Sequence, residues 1–178
     1  ASVRSCSCTS GAHLSCEDRI ARFIGMEASL LFSSKNQAIL TILSALASEG
    51  DLVCFDELIQ SPVADAAHLM NATPLPFSES NFDVLRAELE RRKGRRKFIV
   101  VESFSPITGK RSDLVGLANL CKRTDAELIV DETFALGLFG SRGAGVYEQD
   151  KIFERPFCIY GSLSCAVASY GAFVAGSA

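Results

Sequence analysis

The sequence has few of the residues from which metal sites and disulfide frameworks are built. Its two histidines, His13 and His68, stand far apart, and none of its seven cysteines belongs to a C-x-x-C pair. We therefore expect no metal centre. An odd cysteine count without a secretory signal favours reduced thiols and a cytoplasmic location, with Cys54, Cys121 and Cys158 as small core residues.

Further absences narrow the classes of function. No apolar run reaches the roughly 18 residues of a membrane-spanning helix, so we expect no span. The formal net charge is −3, and the basic run at residues 90–97 lies between an amphipathic helix and a strand, so we expect no nucleic-acid partner. A G-x-G-x-x-G fingerprint and a P-loop are also missing, which argues against a nucleotide-binding module.

Strand-like and helix-like patterns alternate along the chain. The apolar strand patterns cover residues 28–32, 52–55, 73–77, 97–101, 126–130, 158–160 and 172–175. The helix patterns that follow them cover residues 36–48, 63–70, 81–92 and 112–124. This alternation predicts an α/β fold with a mostly parallel sheet covered by helices on both faces. A chain of 178 residues is long enough for one such domain.

The N-terminal part predicts an arm followed by a helix. We expect residues 1–13, which are mostly small and polar, to form an irregular arm ahead of a domain that covers residues 14–178. Glu17 and Asp18 favour the first turn of the helix, and Gly25 favours its end. The helix face predicted to pack on the core carries Ile20, Phe23 and Ile24.

The most informative stretch is I-V-D-E-T-F-A-L-G-L-F-G-S-R-G-A-G, residues 129–145. An apolar strand leads into Asp131 and Glu132, and a turn punctuated by four glycines follows. A carboxylate at the carboxyl end of a buried parallel strand lies where open α/β sheets bind ligands. From the residues alone, a turn-capping role for Asp131 is equally compatible with the pattern.

This stretch resembles the D-E-A-H-x-x-G-x-x-G-x-x-G-x-G segment of the α-oxoamine synthases. Residues 161–176, G-S-L-S-C-A-V-A-S-Y-G-A-F-V-A-G, resemble the same family's G-T-L-S-K-A-x-G-S-x-G-G-Y-x-A-G. The family includes 8-amino-7-oxononanoate synthase, 2-amino-3-ketobutyrate CoA ligase and serine palmitoyltransferase, and it joins an acyl-CoA to an amino acid with pyridoxal 5′-phosphate. The resemblance implies the large domain of a fold-type I transferase, with pyridoxal phosphate as cofactor.

The resemblance assigns residues to a cofactor site. Asp131 would lie beside the pyridine nitrogen and keep it protonated, and Ser162 would contact the phosphate. Glu102 falls in register with the start of the family's E-x-x-F-S-M-D-G segment. A further loop stands where the family binds phosphate at a helix N-terminus, and its lysine is either a phosphate partner or an ordinary exposed residue. That loop consists of Ser34, Lys35 and Asn36.

Three positions depart from the family pattern. Cys165 stands where the family has its Schiff-base lysine, and a thiol cannot form an imine. Gln60 stands where the family has a histidine that stacks on the pyridine ring, and Phe134 where it has a histidine that contacts the phenolic oxygen. These departures together predict a degenerate site, in which pyridoxal phosphate is absent or held only noncovalently.

Three interpretations remain open from the sequence, including whether the chain is an enzyme. The first is a noncatalytic α-oxoamine synthase-like domain, comparable to the noncatalytic subunit of serine palmitoyltransferase and paired with a lysine-bearing paralogue. The second is an active acyltransferase whose lysine has been replaced. The third is a non-enzymatic ligand-binding α/β module. The resemblance also implies a homodimer or heterodimer, and a small C-terminal domain that has no counterpart in this chain.

Overall fold

The computed structural model describes residues 9–57, 62–78, 82–92, 94–152 and 156–177, which form one sheet flanked by helices. The strands are β1 (Ala28–Phe32), β2 (Leu52–Asp56), β3 (Thr73–Phe77), β4 (Lys97–Glu102), β5 (Glu127–Asp131), β6 (Cys158–Ser162) and β7 (Ala172–Gly176). The helices are α1 (Gly11–Ile24), α2 (Lys35–Leu46), α3 (Pro62–Leu69), α4 (Phe82–Arg91), α5 (Leu114–Thr124) and the short α6 (Val146–Gln149).

The sheet is mostly parallel, as the alternating pattern predicts. Its strand order is β1-β7-β6-β5-β4-β2-β3. The pairs from β6 to β3 are all parallel, and only β7 pairs antiparallel, with β6 on one side and β1 on the other. The edge strand β3 contains Pro74 and Pro76, which lack the N–H that a central strand would need.

Two apolar layers lie on opposite faces of the sheet because successive strand residues point to opposite sides. In β4, Ile99 and Val101 pack into the layer formed with α4, α5 and Tyr147 of α6. Phe98 and Val100 of the same strand pack into the layer under α2 and α3. Both faces of the central strands are therefore buried, which explains their continuous apolar sequences.

The predicted strands are all present, but several extend further than their apolar patterns. The carboxyl ends of β4, β5 and β6 are polar: Glu102, Asp131 and Ser162 are the last residues of these strands. Helix α6 was not predicted, because four residues are too few to show a helical period.

Helix α1 differs from the prediction at its start. It begins at Gly11, with Ser10 as N-cap, so residues 11–13 of the predicted arm are helical, while residues 1–8 lie outside the described part of the chain. Glu17 lies in the second turn, where it is buried and its carboxylate accepts a hydrogen bond from the backbone N–H of Leu31 at 2.9 Å. The predicted apolar face was wrong for Phe23, which is 41% exposed.

The end of α1 and the buried cysteines agree with the sequence prediction. Gly25 ends the helix in the left-handed conformation, at φ 81°. Cys54, Cys121 and Cys158 are buried core residues. No helix within the described ranges is long and apolar enough to cross a membrane.

Candidate active site

The candidate site lies at the carboxyl ends of the central parallel strands. Glu102 at the end of β4 is in register with Asp131 at the end of β5, and Asp131 is in register with Tyr160 of β6. Parallel pairing therefore places residues that are far apart in sequence side by side. This edge is where open α/β sheets bind ligands.

Asp131 is the buried carboxylate at the centre of the site, with no exposed surface. Its Oδ1 accepts a hydrogen bond from the backbone N–H of Thr133 at 2.9 Å, and its Oδ2 accepts one from the ammonium of Lys35 at 3.0 Å. Burial, followed by the charge of Asp131, raises the pKa of the Tyr160 phenol well above its ordinary value. Both carboxylate oxygens of Asp131 are thus engaged within the chain.

Lys35 is the first residue of α2, where Ser34 is the N-cap and its hydroxyl accepts from the backbone N–H of Gln37 at 3.2 Å. The Lys35 side chain is 27% exposed and reaches across to Asp131, with its ammonium 5.7 Å from the centre of the Phe134 ring. Burial lowers the pKa of Lys35, but the charge and hydrogen bond of Asp131 outweigh it, so the pKa lies above its ordinary value. The Lys35 amine is therefore protonated at neutral pH.

A cavity of about 340 Å³ opens above this ion pair. It is lined by Lys35, Asn36, Ile39, Pro62, Val63, Glu102, Pro106, Ile107, Phe134 and Tyr160. Burial is the main cause that raises the pKa of the Glu102 carboxyl to about 7, and the charge of Asp131 adds to it. The cavity thus combines an apolar wall with an acid that changes charge near neutral pH.

Cys165 lies beside a neighbouring cavity, also about 340 Å³, that shares Phe134 with the first. Its thiol is exposed and 3.9 Å from the hydroxyl of Ser164. Ser162 is buried, and its backbone N–H donates to the hydroxyl of Thr133 at 3.0 Å. The hydroxyls of Ser162 and Ser164 are 2.7 Å apart, so these serines bind each other within the turn after β6.

The structure brings together most of the residues singled out from the sequence. Lys35, Asn36, Glu102 and Phe134 line one cavity, and Asp131 lies beneath it. Ser34 caps the N-terminus of α2, Ser162 is the last residue of β6, and Cys165 lies in the turn that follows β6. Gln60 lies outside the described residues. Within the described ranges, no group of three or more histidine, cysteine, aspartate or glutamate residues is placed to hold a metal ion.

Glu132 has a role that the sequence did not reveal. Its carboxylate accepts from the Ser103 hydroxyl at 2.5 Å, and from the backbone N–H groups of Val146 at 3.0 Å and Tyr147 at 2.9 Å. Glu132 therefore ties the end of β5 to the loop after β4 and to the start of α6. Val146 and Tyr147 lie 14 and 15 positions after Glu132, so no short sequence motif predicts the contacts.

The fold and the position of this site define a class of protein. The mixed seven-stranded sheet with helices on both faces is the large-domain architecture of fold-type I pyridoxal-phosphate-dependent transferases. A serine palmitoyltransferase from S. paucimobilis, solved with a bound PLP–myriocin aldimine, has a TM-score of 0.91 and 29% identity. The match covers 98% of this chain and 44% of that one.

Other comparisons point to the same class. The Sphingomonas wittichii serine palmitoyltransferase has a TM-score of 0.92 and 28% identity, over 99% of this chain and 45% of that one. The 8-amino-7-oxononanoate synthase of Nitrosomonas europaea is 34% identical over 170 residues, which are 94% of this chain and 44% of the relative. The chain thus spans less than half the length of these relatives.

The sequence comparison then names the family. Residues 5–178 match the family described as aminotransferase class I and II. The chain belongs to this family and, within it, to the α-oxoamine synthases.

Proposed function

We propose that this chain is an α-oxoamine synthase-like domain that does not catalyse by itself and that works as a noncatalytic partner subunit. The observation that carries the proposal is Cys165, an exposed thiol at the position of the family's Schiff-base lysine. A thiol forms at most a labile adduct with an aldehyde, so it cannot replace the lysine that holds the cofactor and moves the substrate's proton.

Lys35 does not take over the role of the missing lysine. Imine formation requires an uncharged amine, whereas Asp131 at 3.0 Å favours the charged ammonium and raises the Lys35 pKa. Phe134 also cannot replace the family's histidine, because its ring has no hydrogen-bond donor for a phenolic oxygen. The residues present therefore do not fit a covalently held pyridoxal phosphate.

The partner in this proposal is a lysine-bearing paralogue in a heterodimer, or a second copy of this chain in a homodimer. Family resemblance supports an assembly of two subunits that meet near their sites. The activity to which the whole assembly would contribute is the condensation of an acyl-CoA with an amino acid. Light scattering of the purified protein tests the assembly: we expect a dimer, and a monomer at micromolar concentration would count against it.

A second candidate function is an acyltransferase of the same family whose lysine has been replaced. The presence of an amine, Lys35, in the cavity is the observation that favours it. This candidate predicts that Cys165→Lys restores a borohydride-reducible imine with pyridoxal phosphate. If borohydride fixes no cofactor to that variant, the second candidate is rejected.

Catalysis by the chain itself is tested by release of the CoA thiol from palmitoyl-CoA with serine, the substrates in the name of one group of relatives. We expect the purified chain with pyridoxal phosphate to release no more thiol than a sample without serine. Cys165→Ala serves as the matched variant and is expected to behave like the parent. Serine-dependent release that disappears in Cys165→Ala would contradict the proposal.

A further inference from the structure

We infer that Lys35 is a built-in counter-ion: its ammonium binds the Asp131 carboxylate that a protonated ring nitrogen would need as its acceptor, and it thereby keeps pyridoxal-type ligands out of the cavity. This inference rests on the proposed function, because it explains how a degenerate site of this fold retains its buried aspartate. It concerns binding alone and requires no chemistry at Cys165.

Both carboxylate oxygens of Asp131 already accept hydrogen bonds from the protein. Thr133 donates its backbone N–H to Oδ1 at 2.9 Å, and Lys35 donates to Oδ2 at 3.0 Å. A ring nitrogen that required Asp131 as its acceptor would have to displace the ammonium from Oδ2. Two cations on one buried carboxylate repel each other, so the ring cation and the Lys35 ammonium exclude each other.

Moving the Lys35 ammonium away from Asp131 costs free energy. Asp131 has no exposed surface, so it would be left as an uncompensated buried charge until a ligand replaced the ammonium. The ammonium itself would lose the face of the Phe134 ring, 5.7 Å from it.

A competing arrangement makes an opposite prediction. Lys35 stands at a helix N-terminus, where the family binds phosphate, so a ligand's phosphate could in principle draw the ammonium away from Asp131. In that arrangement Lys35 assists binding, and its removal weakens the complex. As an internal counter-ion Lys35 opposes binding, and its removal strengthens the complex. The sign of the change therefore decides between the two.

The probe for the experiment is pyridoxine 5′-phosphate, which keeps the ring nitrogen and the phosphate but has no aldehyde. Its affinity for the whole chain is measured by equilibrium dialysis at pH 7. We expect Lys35→Met to bind it about tenfold more tightly than the parent protein, because Asp131 then has no cation of the protein beside it and can take the ring nitrogen. The gain should vanish in the double variant Lys35→Met with Asp131→Asn, where no carboxylate remains.

The matched control is Lys122→Met, which removes an exposed lysine from α5 and should leave the affinity unchanged. If Lys35→Met does not fold, Lys35→Gln keeps a donor toward Asp131 without the charge, and the same gain is expected. Equal or weaker binding in the folded Lys35 variant overturns the inference, and weaker binding identifies Lys35 as a phosphate ligand. Since the probe cannot form an imine, neither result bears on whether the chain catalyses.

Discussion

At the scale of single residues, the properties of the site depend on which cation lies beside each buried carboxylate. Asp131 is fully buried, and a buried carboxylate needs a cation beside it. Lys35, which lies 96 positions earlier in the sequence, supplies that cation. Glu102 lies beside the same pair, and the charge of Lys35 only partly offsets the burial that raises the pKa of the Glu102 carboxyl. Each of these residues therefore affects stability as well as binding.

The Lys35–Asp131 pair should contribute measurably to stability. We expect Lys35→Met to lower the free energy of unfolding by about 2 kcal/mol at pH 7, because it leaves a buried carboxylate without its cation. Asp131→Asn in the Lys35→Met background should recover part of this loss. Urea unfolding of the two single variants and the double variant measures the coupling between the residues. Additive effects would show that the ion pair does not couple them.

Glu102 should make stability depend on pH. Because the fold raises its pKa from 4.5 to about 7, its contribution to stability is fully present below pH 4.5 and is lost as the pH rises through 7. Glu102→Gln, which cannot ionise, should match the parent near pH 4.5. At pH 8 it should be more stable by about 1 kcal/mol, a value reduced for partial exposure to solvent. Urea unfolding at both pH values checks this; a pH-independent difference would refute it.

At the scale of the elements, the four-residue helix α6 depends on Glu132 for its position. The carboxylate of Glu132 binds the backbone N–H groups of Val146 and Tyr147, and it occupies the space beside Gly145. Gly145 has φ 128°, and a methyl group there would overlap that carboxyl. The glycine is therefore required both by its backbone conformation and by the close approach of Glu132.

The tight contact at Gly145 predicts a large cost for Gly145→Ala. We expect a loss of about 3 kcal/mol in the free energy of unfolding, since both the left-handed φ and the overlap with Glu132 are unfavourable. Gly109→Ala is the matched control, because Gly109 also has positive φ, 68°, but nothing lies within 4 Å of the added carbon. It should cost only about 1 kcal/mol. Equal costs in thermal or urea unfolding would show that the contact with Glu132 does not matter.

The predicted and observed strands agree in number but differ at their ends. Apolar runs predicted the strands of the sheet, and they are continuous in the interior parallel strands β2 and β4 because both faces of those strands are buried. The predicted strands ended too early at Glu102, Asp131 and Ser162, where polar residues continue the backbone pairing. Strand pairing depends on backbone hydrogen bonds, so apolar patterns alone do not mark where it stops.

The candidate site was predictable only in part. Asp131, Ser162 and the loop at residues 34–36 stood out through a family resemblance and through their positions at the ends of elements. The ion pair between Lys35 and Asp131 was not predicted, because the direction of a long flexible side chain depends on the assembled fold. The anchoring role of Glu132 was missed for the same reason, since its partners lie beyond the glycine-rich turn.

At the scale of the whole molecule, the chain is an α-oxoamine synthase scaffold in which Lys35 is already bound to the aspartate of the site. The parallel sheet brings three strand ends together and α2 adds the cation, so the arrangement is a product of the fold rather than of one loop. The proposed absence of catalysis follows from Cys165, and the proposed exclusion of ligand follows from Lys35.

The most direct test of the central claim is an absorbance spectrum of the purified protein with equimolar pyridoxal phosphate, recorded before and after borohydride. We predict the spectrum of free cofactor alone, and an unchanged protein mass after reduction, because Cys165 cannot form an imine and Lys35 is held as an ammonium. A band in the imine region that borohydride fixes to Lys35 would contradict this account, since the chain would then possess a working Schiff-base lysine.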